Sequence, residues 1–283
     1  MLEKTILVEG VRVPRFLYGT AWKEDDTTRL AELALASGFR GIDTANQRRH
    51  YDEAGVGQAI QSSIARGLIT RDDLFLQTKF TFRRGQDHRL PYDPAAPIAA
   101  QVEQSFASSL AHLGTEAIDS YVLHGPSQRS GLGADDWAAW RAMEAIHDSR
   151  RVHFLGISNV TLEQLQRLCD MARIRPRFVQ NRCYADRGWD RAVREFCAAS
   201  GLIYQGFSLL TANRAALAQP ALARIARRHG RTVSQIVFRF ALEIGIVALT
   251  GTSNADHMRA DLEVFNFALE RAEIEQIEYI AAL

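Results

Sequence analysis

Short β-rich runs alternate with longer stretches of helical apolar spacing along the whole chain, and this alternation limits the fold more than any single motif. The β-rich runs are Phe16–Tyr18, Gly41–Asp43, Leu74–Thr78, Ile118–Leu123, Val152–Ile157, Phe178–Gln180, Leu202–Gly206 and Ile246–Leu249. Helical spacing covers Thr28–Ala36, Ala54–Ala65, Ile98–Leu113, Trp137–Asp148, Leu162–Ala172, Arg191–Ala199, a longer region Leu222–Leu242, and Ala255–Val264. Parallel neighbours need crossover connections, usually helices, so this series predicts a parallel sheet with helices outside. Closed on itself, the sheet is a (β/α)8 TIM barrel, an α/β fold. An open doubly wound sheet usually carries a Gly-rich phosphate loop after its first strand. Here Gly19-Thr-Ala-Trp follows instead, and no G-x-G-x-x-G occurs.

Upstream, Thr5–Val8 and Val11–Val13 flank Glu9-Gly10. A two-residue connection containing glycine predicts a hairpin, placed to plug the barrel floor. The hairpin segment is 1–14, and no linker or shift in composition divides the remainder, so 1–283 is expected to be a single domain. Lys and Arg number 34 against 33 Asp and Glu, and basic runs such as Arg227-Arg228-His229 are short, leaving no electrostatic footprint for nucleic acid. Neither a signal-peptide core nor a run of about 20 apolar residues occurs, so secretion and membrane insertion are not expected. Cys169, Cys183 and Cys197 are odd in number and lack C-x-x-C spacing, which predicts reduced thiols in the cytoplasm. With no coiled-coil seam, a monomer or weak oligomer is expected, and no metal is assigned.

In a barrel of this kind chemistry belongs at the C-terminal strand ends. The second strand ends at Asp43, the third at Lys79, the fourth at His124, the fifth at Ser158-Asn159 and the sixth at Gln180. Singly, each has an ordinary role: a helix cap for Asp43, Ser158 or Asn159, a surface charge for Lys79, a loop residue for His124. Together they bring an acid, an ammonium and an imidazole to one rim, which points to a functional site.

At this point the chain resembles the aldo-keto reductase family, from the hairpin to the last helix. The resemblance is carried by Gly41-Ile-Asp-Thr-Ala, Tyr51 with Glu53 and Val56-Gly57, Gln77-Thr-Lys, Ser109-Leu-Ala-His-Leu-Gly leading into Ile118-Asp-Ser-Tyr-Val-Leu-His-Gly-Pro, Gly156-Ile-Ser-Asn, and Val264-Phe-Asn-Phe. It implies NAD(P)H-dependent reduction of aldehydes or ketones to alcohols, with the dinucleotide extended across the barrel mouth. Asp43, Tyr51, Lys79 and His124 match the family's catalytic tetrad. Tyr51 is then the proton donor, its pKa lowered from about 10 by the Lys79 ammonium. Asp43 holds Lys79 charged, and His124 donates to the substrate oxygen. One loop departs from the common pattern: Tyr51 lies eight residues beyond Asp43, farther than usual, and five before Val56. Counting back from Val56 without a gap puts His50 at the tyrosine position, so both residues stand as candidates. Tyr51 is favoured because a weak acid beside a cation suits the chemistry.

The resemblance also assigns cofactor contacts. Asp43 is among the cofactor-binding residues, Gly19 and Thr20 approach the cofactor by backbone, and Ser158, Asn159 and Gln180 bind the nicotinamide carboxamide. Phe207 stacks on the ring, with core packing as its ordinary alternative, and Ser208 and Leu210 follow the pyrophosphate. Gly251, Thr252, Ser253, Asn254 and His257 then lead into a helix whose N-terminus meets phosphate, with Ser253 or Asn254 as N-cap. The family's usual 2′-phosphate clamp has a Lys and an Arg where this sequence has Gly251 and His257. The expected cofactor is therefore NADP(H), with weaker discrimination against NAD(H).

Trp22, Phe82 and His124, with Ser127–Trp137 as a flexible wall, outline a mostly apolar pocket for a small-molecule carbonyl. Because the chain stops at Ala281-Ala-Leu after a helical run, an open site is expected. The alternative to catalysis is a regulatory or interaction protein sensing nicotinamide on a reductase barrel. A phosphosugar isomerase fits the fold but not the tetrad.

Overall fold

The computed structural model describes residues 2–282. It opens with a hairpin of β1 (Thr5–Val8) and β2 (Val11–Pro14), in which Val8 pairs with Val11. Glu9 (φ 49°) and Gly10 (φ 87°) both take the left-handed conformation that a two-residue hairpin turn with the native strand twist requires. Val13 is fully buried, and Ile6, Val8 and Val11 pack on Leu17, Phe75, Phe154, Phe178 and Val247, closing the barrel floor as expected.

Eight parallel strands follow: β3 (Phe16–Gly19), β4 (Gly41–Asp43), β5 (Phe75–Phe80), β6 (Ile118–Leu123), β7 (Val152–Ser158), β8 (Phe178–Arg182), β9 (Ile203–Phe207) and β10 (Val247–Thr250). Each pairs with its neighbour in sequence, and β10 pairs back to β3, so the sheet closes. Around it lie α1 (Thr27–Ser37), α2 (Glu53–Ala65), α3 (Ile98–Leu113), α4 (Ala134–Asp148), α5 (Leu162–Met171), α6 (Arg191–Ala199), α7 (Arg214–Leu217), α8 (Pro220–His229), α9 (Val233–Glu243), α10 (Ala255–Leu262) and α11 (Arg271–Glu278). None of the described helices is long and apolar enough to cross a membrane.

Two departures from the periodicity have local causes. The expected helix Leu222–Leu242 is divided because Gly230 (φ 60°) ends α8 in the left-handed conformation, its N–H turned back to the Ala226 and Arg227 carbonyls. Thr232 then starts α9, its Oγ1 accepting the Gln235 N–H at 3.2 Å. Helix α11, the helical run before Ala281, lies outside the periodic segments because only Ala272, Ile274 and Ile277 of its eight residues are apolar. It is held by Ile277, buried in the core, whose carbonyl accepts the Trp189 indole N–H at 3.0 Å.

Above the apolar floor the barrel interior turns polar. Gln77 and Gln180 each donate from Nε2 to Gln205 Oε1, at 2.8 and 2.9 Å, and Gln205 donates back to Gln77 Oε1 at 3.1 Å. Buried amides survive only when their bonds are made, and this glutamine layer makes them with one another and with the group directly above. That group is Asp43.

Candidate active site

Asp43 ends β4 and Lys79 lies on β5, both buried. Lys79 Nζ donates to both Asp43 oxygens at 2.7 Å and to the Thr44 carbonyl at 2.8 Å, which uses all three of its N–H bonds. Asp43 Oδ1 also accepts from Gln77 at 2.7 Å and Gln180 at 3.0 Å. Burial pulls the Lys79 pKa below its ordinary value, and the Asp43 carboxylate opposes that pull. A buried ion pair persists only with such complete hydrogen bonding.

The longer loop after Asp43 is taken up by a turn. The His50 and Tyr51 N–H groups both return to the Gln47 carbonyl, at 3.1 and 3.0 Å, while Asn46 Nδ2 is anchored to the Ser105 carbonyl at 3.0 Å. Two residues beyond Tyr51, buried Glu53 bonds Thr78 on β5 and His112 on α3, pinning the start of α2 beside the strand that carries Lys79. The Tyr51 ring consequently lies with its centroid 5.5 Å from Lys79 Nζ and 5.9 Å from the His124 ring. His50 lines the same cavity but stacks on Trp22, ring centroids 3.8 Å apart.

One electrostatic expectation is corrected. Lys79 does not bring the Tyr51 phenol down: burial pushes it above its ordinary value, Asp43 adds to that rise, and only Arg182 opposes it. Burial of the phenol is the larger cause, and with Lys79 bonded to Asp43 no unpaired cation is left beneath it to oppose that rise. The phenol faces a neutralised pair rather than a bare cation, and it stays protonated at neutral pH.

His124, just past β6, has its Nδ1 2.7 Å from Thr81 Oγ1. Burial first, then Lys79 and His50, pushes its pKa down to about 3, so the imidazole is neutral at physiological pH. In the tautomer in which Thr81 donates to Nδ1, the Nε2–H is available toward the cavity. Thr81 escaped the sequence reading although it lies two residues after Lys79, the spacing that returns a side chain to the same side of a strand.

These groups share one cavity of about 1070 Å³ at the C-terminal mouth. Gly19, Trp22, Asp43, Tyr51, Phe82, His124, Ser158, Asn159, Gln180, Phe207, Ser208, Leu210, Gly251, Thr252 and His257 line it, whereas Lys79 lies beneath it. Thr20 does not face the cavity: it is buried, its Oγ1 donating to the Asp43 carbonyl at 3.1 Å, so it supports the acid rather than bordering the space. Ser253 and Asn254 also lie off the lining, and Asn254 is the N-cap of α10, accepting from the Asp256 and His257 N–H groups at 2.8 and 3.1 Å. Asn159 holds φ 53° and donates to the His124 carbonyl at 2.7 Å.

The wall Ser127–Trp137 is tethered rather than flexible. Ser127 N–H and Oγ–H and Gly133 N–H all bond the Asp136 carboxylate, at 2.5, 2.7 and 2.8 Å. Gln164 Nε2 also donates to the Gln128 and Gly131 carbonyls, at 3.2 and 2.8 Å.

Four cations in the lining, Lys23, Arg84, Arg129 and Arg182, went unread in the sequence. Lys23 reaches across 228 residues of chain to hydrogen-bond the Gly251 carbonyl. A Cβ at Gly251 would stand 3.5 Å from its ammonium and 3.3 Å from the Gly19 carbonyl oxygen, so glycine keeps this corner open. Arg182 ends β8, with its guanidinium 5.4 Å from the Phe207 ring centroid. The expected absence of positive charge near Gly251 therefore holds along the chain but not in space. Among the described residues no cluster of three or more His, Cys, Asp or Glu could hold a metal ion.

On α10, Asp261 is buried and accepts the Thr250 hydroxyl at 2.8 Å; burial raises its pKa to about 6. A raised folded-state pKa means the folded chain holds this proton more tightly than the unfolded one. The resulting stability is present below the ordinary 3.8 and lost as pH rises through about 6. Asp261→Asn keeps the Thr250 bond without the charge. It should raise the melting temperature at pH 8 by at least about 2–4 °C, the value of 1 kcal/mol in a domain this large, and change little at pH 3.5. Equal melting temperatures at pH 8 would reject a buried, strained carboxylate.

The sequence profile of the Aldo/keto reductase family matches residues 17–282. An uncharacterized oxidoreductase, YtbE, of Bacillus subtilis (strain 168) is 28% identical over 277 residues, covering 97% of this chain and 91% of that protein. The crystal structure of an aldo/keto reductase from Brucella melitensis superposes with a TM-score of 0.82 at 26% identity, covering 98% of both chains. An aldo-keto reductase (AKR2E5) of the silkworm Bombyx mori, solved with NADPH, superposes with a TM-score of 0.81 at 25% identity, covering 97% of this chain and 86% of that one.

Proposed function

We infer the reaction from the premise that this chain belongs to the aldo/keto reductase family and is an oxidoreductase acting on carbonyl groups. The finer reading is reduction of an aldehyde or ketone to the alcohol with NADPH, Tyr51 giving the proton. The observation that carries it is the Tyr51 ring at the cavity wall between the Lys79 ammonium, 5.5 Å away, and the His124 imidazole, 5.9 Å away.

The cavity suits an extended dinucleotide. The ends of β3 and β10 approach so closely that a Cβ at Gly19 would lie 3.4 Å from the Thr250 carbonyl oxygen, and Gly251 leaves a matching backbone-lined cradle beside Lys23. Ser158, Asn159 and Gln180 would hold the carboxamide and Phe207 the ring face; Ser208, Leu210, Thr252 and His257 would follow the phosphates. Bound there, the nicotinamide supplies a hydride to the carbonyl carbon. As charge grows on the carbonyl oxygen, Tyr51 Oη gives up its proton to it, and Lys79 offsets the Asp43 charge that the resulting phenolate would otherwise face. His124 Nε2–H, held by Thr81, aims the same oxygen and shares its charge. Asp43 keeps Lys79 protonated despite burial.

Mixing the protein with NADPH and a reactive aromatic aldehyde, and following nicotinamide absorbance, tests this reading. Tight NADPH binding without turnover would instead favour a nicotinamide sensor. The buried free thiols of Cys169, Cys183 and Cys197 suit a reducing compartment, and we place the enzyme in the cytoplasm.

Lys23 alters the cofactor expectation drawn from Gly251 and His257. Its ammonium, drawn below its ordinary pKa by burial, has the Gly251 carbonyl as its partner and is suited to a 2′-phosphate. Lys23→Ala should weaken NADPH binding about tenfold, the worth of one charged hydrogen bond, and leave NADH within about twofold. Equal weakening of both in a fluorescence titration would place Lys23 elsewhere on the dinucleotide.

A further inference from the structure

Resting on the carbonyl-reductase reading, the distribution of charge around the cavity says more about its substrate. The strands run β10, β3, β4, β5, β6, β7, β8, β9 around the closed barrel. The arc from β7 through β10 to β3 carries the groups assigned to the dinucleotide. The arc β4 to β6 carries Asp43, Lys79 and His124, and with them the reacting carbonyl.

Cations in the lining divide between these arcs. Lys23 after β3 and Arg182 on β8 belong to the dinucleotide arc. Arg84 after β5 and Arg129 after β6 belong to the other, out of line with the phosphates. The acids do not balance them. Asp43 is already paired with Lys79, and Asp261 stands on the dinucleotide side, bonded to Thr250. Arg89 nearby is satisfied by Asp87, but neither Arg84 nor Arg129 forms an ion pair with any described carboxylate.

Arg84 is also placed rather than adrift. Its turn, Arg83–Gly85, is tied at the Gly85 carbonyl by Gln47 Nε2 at 2.7 Å, and its guanidinium donates to the carbonyl of Pro126, two residues past His124. Thr81 on the same loop holds His124 itself. One piece of structure thus positions the imidazole that orients the carbonyl and a guanidinium with donors to spare.

We propose that the preferred substrate is an aldehyde or ketone carrying an anionic oxygen group, carboxylate or phosphate, which Arg84 binds, with Arg129 adding positive charge to the same cavity lining. A planar guanidinium fork matches either group bidentately, and Arg84, though exposed, is fixed at the cavity edge by its bond to the Pro126 carbonyl.

A matched pair tests it: 4-carboxybenzaldehyde and methyl 4-formylbenzoate present the same ring and carbonyl and differ in charge. With saturating NADPH, kcat/KM should favour the acid by about tenfold or more, mainly through KM. Arg84→Met should bring the ratio to about 1, the loss falling on the acid, and Arg84→Lys should leave it between the two. Equal efficiencies in the unaltered enzyme, or an Arg84→Met loss shared equally by acid and ester, would overturn the proposal. Calorimetric binding of terephthalate to the NADPH-loaded protein separates the two levels of the argument. Without turnover of either aldehyde, terephthalate binding that is lost in Arg84→Met keeps the anion site and sinks the reductase reading. Absent terephthalate binding sinks the anion site.

Discussion

Tyr51→Phe is expected to lower kcat for aldehyde reduction by about 10²–10⁴-fold, the usual worth of a positioned general acid, while NADPH affinity changes little. Phenylalanine fills the same space between Lys79 and His124, so a loss of this size reports the missing hydroxyl and not a collapsed pocket. His50→Phe is the matched control. His50 stacks on Trp22 with ring centroids 3.8 Å apart, and its carbonyl accepts the Trp22 N–H at 2.7 Å, so its ring is engaged with Trp22, whereas the Tyr51 ring lies over Lys79. Its replacement should leave kcat within about threefold, well below the general-acid range. Single-turnover kinetics with deuterated NADPH would keep cofactor release from masking the chemical step. If His50→Phe alone abolished reduction and Tyr51→Phe did not, the proton would have to come from the imidazole.

Lys79→Met should damage both folding and chemistry. It leaves the buried Asp43 carboxylate with only the Gln77 and Gln180 amides for partners, and breaking a buried ion pair from one side costs about 3–5 kcal/mol. In a domain this large that corresponds to a fall of roughly 10 °C in melting temperature. Activity should fall as well, because the phenolate left by proton transfer would face a carboxylate without its counter-ion. Adding Asp43→Asn removes the stranded charge and should restore part of the stability but none of the activity. Calorimetry and aldehyde turnover on the single and double variants separate the two effects. A Lys79→Met protein as stable as the original, or one that still reduces aldehydes, would mean that the pair is not coupled to the phenol as its geometry implies.

The fold was legible because its signal is local and repeated. Each strand and most helices announce themselves within about ten residues, and parallel strands joined by helices leave few ways to close. A misreading arose where a local cue was weak, at the Gly230 break inside what looked like one helix. In the site, Asp43, Lys79 and His124 could be found because strand ends are predictable places. Thr81, Lys23 and Arg84 could not, since each matters through a partner elsewhere: His124, Gly251 and Pro126.

By itself, then, the sequence determined a closed barrel, its family, and the acid, ammonium and imidazole that meet at its mouth. The barrel follows from periodicity, the rim groups from their places at strand ends, and the family from the resemblance carried by several short motifs. Only the tertiary structure decided that Tyr51 and not His50 stands beside Lys79, and that the phenol meets a neutralised pair. It alone put an ammonium at Gly251. These outcomes depend on contacts between residues far apart in the chain, through Glu53 gripping Thr78, Asp43 embracing Lys79 and Lys23 crossing the barrel mouth. No window of sequence contains both partners of the last of these contacts, and closure of the barrel brings them together.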